Sequence, residues 1–187
     1  PFFFLLLLGL KLLVNNLKSI GNVATYTLIA TWLIASGIAI SLGINEATQM
    51  AFEGKVIQKE EIILMPTDTL YIKFKNNDFY SKNIHNGTDF RLTQDENNKD
   101  IIYSNNISIE IMETDEAIPY IQIEKLANGK SASEAKKRAE KIKYGYKIEG
   151  NTLILDNYLI SAVENKFRGQ EVELYLYLPK GTLFKTD

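Results

Sequence analysis

From Ser19 to Asn45 the chain carries no charged side chain, and residues 23–44 (VATYTLIATWLIASGIAISLGI) form a nearly continuous apolar run. As a helix rising about 1.5 Å per residue, that run is about 33 Å long. The hydrocarbon core of a bilayer is about 30 Å thick, so the run is read as a membrane span. A buried helix of a large water-soluble fold would show the same composition. The rest of the chain, however, offers nothing that could cover such a helix on all sides. Ala35, Ser36, Gly37 and Ala39 within it would let another helix pack closely.

Residues 1–14 (PFFFLLLLGLKLLV) are too short to cross alone and too apolar for water. They read as the truncated end of a preceding span, in a chain that is a piece of a longer protein. A signal peptide would need a basic leader and a small-residue cleavage site close behind, and neither is present. Residues 15–22 then link two spans into a helical hairpin. Lys11 and Lys18 lean that link toward the cytoplasm and the following domain outward, although Lys55 and Lys59 lie near the other membrane face.

Lys11 and Lys18 are the only charges before residue 46, so of 21 basic and 23 acidic residues the remainder holds 19 and 23, a net of −4. The expected organisation is a membrane region over 1–45 and a water-facing domain over 46–187, truncated at its end and long enough for one core. An acidic domain without a basic stripe argues against a nucleic-acid partner. The lack of cysteine excludes disulfides, thiolate nucleophiles and cysteine-ligated metals.

Beyond residue 46 the apolar period becomes two. Segments 69–75, 107–113, 120–125, 146–149, 152–155 and 171–178 alternate as half-buried strands, separated by polar turns such as 82–89 and 95–100. Short strands with tight connections predict a mainly-β domain, its sheet antiparallel or coiled in a solenoid-like way, rather than a βαβ fold. One helix interrupts it. In 131–143 (SASEAKKRAEKIK), Ser131 stands three residues before Glu134 as a capping pair, and Ala135, Ala139 and Ile142 share a face. Lys136, Lys137 and Lys141 lie on the opposite side, which is a solvated face or a docking surface for acidic lipid or a partner.

Residues able to carry chemistry are sparse. His85 is the lone imidazole and sits in a polar turn, without the Gly-x-Ser-x-Gly elbow of a hydrolase. Asp95, Glu96 and Asp100, and Glu110, Glu113, Asp115 and Glu116, cluster without the oxygen spacing of a calcium loop. No metal or cofactor is expected. Tyr175 and Tyr177 alternate with Leu174, Leu176 and Leu178 and so share one sheet face. Together with Lys136, Lys137 and Lys141 they are the candidate interaction surface. An aromatic face beside an open edge would suit self-association.

The order of parts carries a resemblance. Paired spans precede a β domain containing Gly129-Lys130-Ser131, Ala135, Ala139, Ile142 and Tyr144, then NTLILD at 151–156. It closes with Arg168-Gly169-Gln170-Glu171-Val172 and a strand running into Leu178-Pro179-Lys180-Gly181-Thr182. This resembles the C-terminal part of the phage-shock-protein-C-related (PspC-domain) membrane proteins of Gram-negative bacteria, whose spans lead into a toast-rack β domain. The resemblance implies a non-enzymatic inner-membrane protein with a periplasmic β domain. It would act in envelope-stress sensing or regulation through contacts with itself, as a homo-oligomer, or with other envelope proteins, and it brings no catalytic residues. Two other readings follow from the residues: an adhesin-like module using the aromatic face, and a hydrolase using two carboxylates that converge in a cleft.

Overall fold

The computed structural model describes residue 9 and residues 22–64, 68–75 and 90–186. The first expected span apart from Gly9, together with Lys11, Lys18 and His85, lies outside the described residues. Contacts divide the chain into two units, Pro1–Thr48 and Gln49–Asp187.

The first unit contains helix α1, Asn22–Thr48. It extends the apolar run by a turn, and residues 26–48 are long and apolar enough to cross a membrane. Leu33, Ile34, Ile38, Ile40, Leu42 and Ile44 are all exposed around it, a surface that lipid rather than protein core would cover. The Thr27 hydroxyl donates to the Val23 carbonyl and that of Thr31 to the Thr27 carbonyl, each at 2.9 Å. Both polar groups are thereby satisfied inside the helix, as an apolar surround requires.

The second unit has eleven strands among the described residues: β1 (Phe52–Glu61), β2 (Leu70–Lys75), β3 (Phe90–Gln94), β4 (Asp100–Ser104), β5 (Ile107–Thr114), β6 (Tyr120–Gly129), β7 (Tyr146–Glu149), β8 (Thr152–Asp156), β9 (Leu159–Ala162), β10 (Glu171–Pro179) and β11 (Phe184–Thr186). Helix α2 (Ala132–Glu140) follows β6, and a 3-10 turn, Val163–Asn165, follows β9. The strands form three open sheets, ordered β1-β6-β10-β5, β11-β2-β8-β7 and β3-β4-β9.

Along the chain these sheets are visited in cyclic order. The first receives β1, the second β2, the third β3 and β4. The first then takes β5 and β6, the second β7 and β8, the third β9, and the cycle reopens with β10 and β11. Between circuits, β5 with β10, β2 with β8 and β2 with β11 pair in parallel, whereas β1 with β6, β6 with β10 and β4 with β9 pair antiparallel. Hairpin partners within a circuit, β3 with β4 and β7 with β8, pair antiparallel. Both arrangements expected from the sequence are therefore present: the chain coils through three sheets, and antiparallel ladders join strands within a circuit and between circuits.

The core lies between the inner faces of the first two sheets. Leu174, Leu176, Ile121 and Ile123 from one meet Leu70, Ile72, Leu153 and Leu155 from the other, all essentially without solvent contact. The period-two pattern is what sends these residues inward. A satellite cluster joins Ile101 and Tyr103 to Tyr158 and Ile160, with the two tyrosine rings stacked at 5.4 Å.

Helix α2 is shorter than the pattern suggested, but its start is as read. The Ser131 hydroxyl accepts the Glu134 N–H at 3.3 Å. Ala135 and Ala139 rest on a floor of Gly54, Ala127 and Gly129, three small residues facing the helix from β1 and β6. The approach is close enough that a Cβ at Gly129 would stand 2.6 Å from the Ala135 nitrogen. Ile142, just past the helix, is buried in the main core.

Candidate interaction surface

The outer face of the first sheet is read row by row from its register. One row runs Lys59, Gln122, Tyr175, Glu110, and the next Glu61, Tyr120, Tyr177, Met112. Another is Ile57, Glu124, Glu173, Ser108. Tyr175 and Tyr177 thus share one half-buried face, opposite the buried leucines, as their alternation requires. β10 is an inner strand of its sheet, so these tyrosines stand in the middle of the face rather than along an edge.

This face is strongly acidic. Glu53, Glu61, Glu110, Glu124, Glu171 and Glu173 share it with only Lys55 and Lys59. Glu124 and Glu173 are direct cross-strand neighbours, a pairing that like charges make unfavourable. The structure offsets it locally. Lys55 Nζ lies 2.9 Å from Glu124 Oε2, Gln122 Nε2 donates to Glu124 Oε1 at 2.7 Å, and the Tyr175 hydroxyl donates to Glu173 Oε2 at 2.9 Å. That bond pushes the Tyr175 hydroxyl up to about 12, because ionising it would place a phenolate against a carboxylate. Burial, with Glu173 beside it, raises the Glu171 carboxyl. Tyr120 and Tyr177 stack at 4.6 Å, and Lys59 Nζ sits 3.6 Å above the Tyr120 ring. These rings are engaged with each other and with a cation of their own chain.

The three helix lysines do not join that face. Lys136 and Lys137 are exposed on α2 and Lys141 is exposed at its C-cap. Lys137 and Lys141 help line a recess with Gln49, Arg138, Lys166 and Arg168, whereas Lys136 does not border it. The candidate residues therefore fall into two places, an acidic-aromatic sheet face and a basic recess.

A third feature was not visible in the sequence. β5 and β11 are end strands of two different sheets, and a shallow cleft touches both. Ile111 and Met112 of β5 and Phe184 of β11 line it together with Leu178 and Pro179. Ile111 and Phe184 are exposed there. The turn between β10 and β11 shapes the cleft: Gly181 has φ +85°, and Thr182 N–H donates to the Pro179 carbonyl at 3.1 Å.

The loop carboxylates have structural partners. Asp95 Oδ1 accepts from the Asn97 and Lys99 N–H groups at 2.8 and 2.9 Å, which closes the β3–β4 turn and lowers its pKa. Glu116 pairs with Lys59 and Glu113 with Lys180. An open groove is lined by Asp95, Asp100, Glu140 and Glu164, with Lys99, Lys141 and Lys143 among them. Among the described residues no group of three acids or imidazoles is placed to hold a metal ion.

Two family models match the chain. One, described as the PspC transmembrane region, covers residues 1–50, and the other, described as a toast rack found in some PspC proteins, covers residues 93–187. No curated protein and no solved structure matches.

Proposed function

From the premise that the chain belongs to the PspC membrane proteins that carry a C-terminal toast rack, we propose that it is a non-catalytic component of a bacterial envelope-stress response. In this reading α1 holds the β domain beside the inner membrane, on its periplasmic side. The domain passes on the state of the envelope by touching further copies of itself or other envelope proteins. The observation that carries the reading is the shared opening at β5 and β11, where two strand edges that are unpaired among the described residues and the exposed side chains of Ile111 and Phe184 come together. Open edges supply main-chain donors and acceptors to an incoming strand, and adjacent apolar side chains supply area and register. The acidic outer face would exclude partners of like charge and so select among them.

The test is an edge-blocking substitution in cells. Ile111→Lys places a flexible cation at the rim, where its stem can lie along the sheet and its charge reach water, so the domain should still fold. The expected result is normal membrane insertion with loss of the stress-induced transcriptional output. Full output from a membrane-inserted Ile111→Lys protein would refute the reading. A reporter fused after Asp187 fixes the side of the membrane: activity in the periplasm supports the orientation and activity in the cytoplasm overturns it.

A further inference from the structure

We propose that the occupant of the open β5 edge is β5 of a second copy of this chain, paired antiparallel in one fixed register centred on Ile109, so that two four-stranded sheets become one continuous sheet. This pairing rests on the contact reading of the β5–β11 opening given above and names its partner.

The end strands of a sheet are templates for pairing, and charge or cover normally blunts them. Among the described residues β1 carries Lys55 and Lys59, β3 Arg91, β7 Lys147 and β11 Lys185. β9 is uncharged, but Lys143 covers its edge: the Lys143 N–H donates to the Ile160 carbonyl at 2.8 Å, and the Ile160 N–H donates to the Lys143 carbonyl at 2.9 Å. β5 (ISIEIMET) has neither a basic residue nor, among the described residues, a bridging segment. Its pairing with β10 fixes what the open side presents. Val172 N–H donates to the Asn106 carbonyl at 3.1 Å, so the even-numbered residues turn their main-chain groups toward β10. Ile109, Ile111 and Glu113 turn theirs to the open edge, as does the Ile107 carbonyl, whose own N–H is held by the Asn105 carbonyl at 2.8 Å. The side chains of Ile107 and Ile109 are half-buried against the main core, and that of Ile111 is 39% exposed.

Charge and polarity select the partner and the register. Opposite residues of an antiparallel pair share a face, so a strand meets its own copy about a twofold axis only in registers centred on a residue. Centring on Glu110 sets that carboxylate against itself and Ile107 against Glu113. Centring on Ile111 or Met112 sets Ile109 or Ile111 against Glu113, and centring on Ser108 sets Ile111 against Asn105. Centring on Ile109 removes every such conflict. Ile107 meets Ile111 and Ile109 meets Ile109 on the inner face, Ser108 meets Glu110 on the outer face with a hydroxyl to donate, and Glu113 meets Asn105. Ile109 exchanges both main-chain bonds with Ile109 of the second copy, and the Ile111 N–H donates to its Ile107 carbonyl. The isoleucines that β5 leaves part-exposed are thereby buried against each other.

Disulfide mapping of the full chain in native membranes tests this, because a chain without cysteine gives no background bond to itself. Opposite Cα atoms in a hydrogen-bonded antiparallel pair are about 5.5 Å apart, within the span of a disulfide at about 4.4–6.8 Å. Under mild oxidation, Ile109→Cys is expected to run mostly as a reducible species of twice the chain mass. Ile111→Cys should stay single, since its counterpart lies four residues along the partner strand, about 14 Å away. Ser108→Cys and Glu110→Cys, co-expressed with tags of different size, should form the mixed dimer; both side chains point outward, so this pair reports even if Ile109→Cys disturbs the core. Single chains at position 109 together with no mixed 108–110 dimer, or equal yields at positions 109 and 111, would overturn the pairing. A disulfide to a protein of another mass would overturn it as well. The contact reading itself is judged separately by the transcriptional output of Ile111→Lys: lost output with no disulfide at position 109 or between 108 and 110 leaves that reading standing and this partner wrong.

Discussion

Gly54→Ala is the sharpest probe of how α2 is seated. On the unfolded side the change is favourable. Gly54 does not need a left-handed backbone, and replacing such a glycine by alanine stabilises by about 0.4–1 kcal/mol through the lost freedom of the unfolded chain. On the folded side the new Cβ would stand 2.3 Å from the Lys136 nitrogen, 2.6 Å from the Ala135 carbonyl carbon and 2.8 Å from the Ala135 Cβ. Two of these are backbone atoms, which no rotamer change can move. The helix must lift by about 1 Å, and a gap of that size forfeits about a quarter to a half of each dispersion contact beneath Ala135 and Ala139. Overpacking of this kind costs about 1–3 kcal/mol, so the sign is set by the clash, with a net loss of about 1–2 kcal/mol. For a domain of this size the melting temperature should fall by about 3–8 °C. The assay is thermal unfolding of the full chain in micelles, followed by far-ultraviolet circular dichroism. Tryptophan fluorescence would report the wrong unit, because the single tryptophan, Trp32, lies in α1. Adding Ala135→Gly removes only the 2.8 Å contact and should restore part of the loss. A Gly54→Ala protein that melts unchanged or higher would refute the close seating of the helix.

Leu176 has no solvent exposure and lies in register with Ile121 and Ile111. Leu176→Asp should therefore bury an unpaired carboxylate, cost at least about 4 kcal/mol and leave the β domain open to protease; unchanged protection would show that the faces are assigned wrongly. Alkaline pH should destabilise the domain. Burial raises the Tyr144 hydroxyl far above its ordinary value, and its oxygen is buried without a hydrogen-bond partner. The folded state then keeps a proton that the unfolded chain loses near pH 10, so this contribution is complete below pH 10 and declines as pH rises toward the folded value. Tyr144→Phe should flatten that decline in a urea titration above pH 10. At pH 7 it should hold or raise stability by about 1 kcal/mol, since it removes a buried unsatisfied group; an unaltered alkaline slope would contradict the sign.

The strands that were legible in the sequence are those with one apolar and one polar face, such as β2, β7, β8 and β10. β1 was not, because its inward positions are Gly54, Val56, Gln58 and Glu60 and its outward ones are mostly charged. Nothing in that stretch alternates, although Gly54 is what admits the helix. β11 is three residues long, below the length at which a period declares itself, and β9 reads Leu-Ile-Ser-Ala, which does not alternate. The cyclic course through three sheets is also invisible locally, since β2 finds β8 and β5 finds β10 only across intervening circuits. The same limit applies to the surface. Spacing placed Tyr175 with Tyr177 and Lys137 with Lys141. The cations that complete the recess, Lys166 and Arg168, come from the segment after the 3-10 turn, where Lys166 holds φ +53°. No helical or strand period links them to α2.

The central claim is that an anchored domain works by contact at the β5–β11 opening. Because the chain contains no cysteine, a single introduced one is a unique chemical handle. Ile111→Cys at the opening and Lys147→Cys on the exposed strand β7 can each be treated with a short thiol cross-linker in native membranes. The account predicts a larger cross-linked species from position 111, containing a second copy or another membrane protein, and none from position 147. A chain that stays single at position 111, in resting and in stressed cells alike, would contradict it.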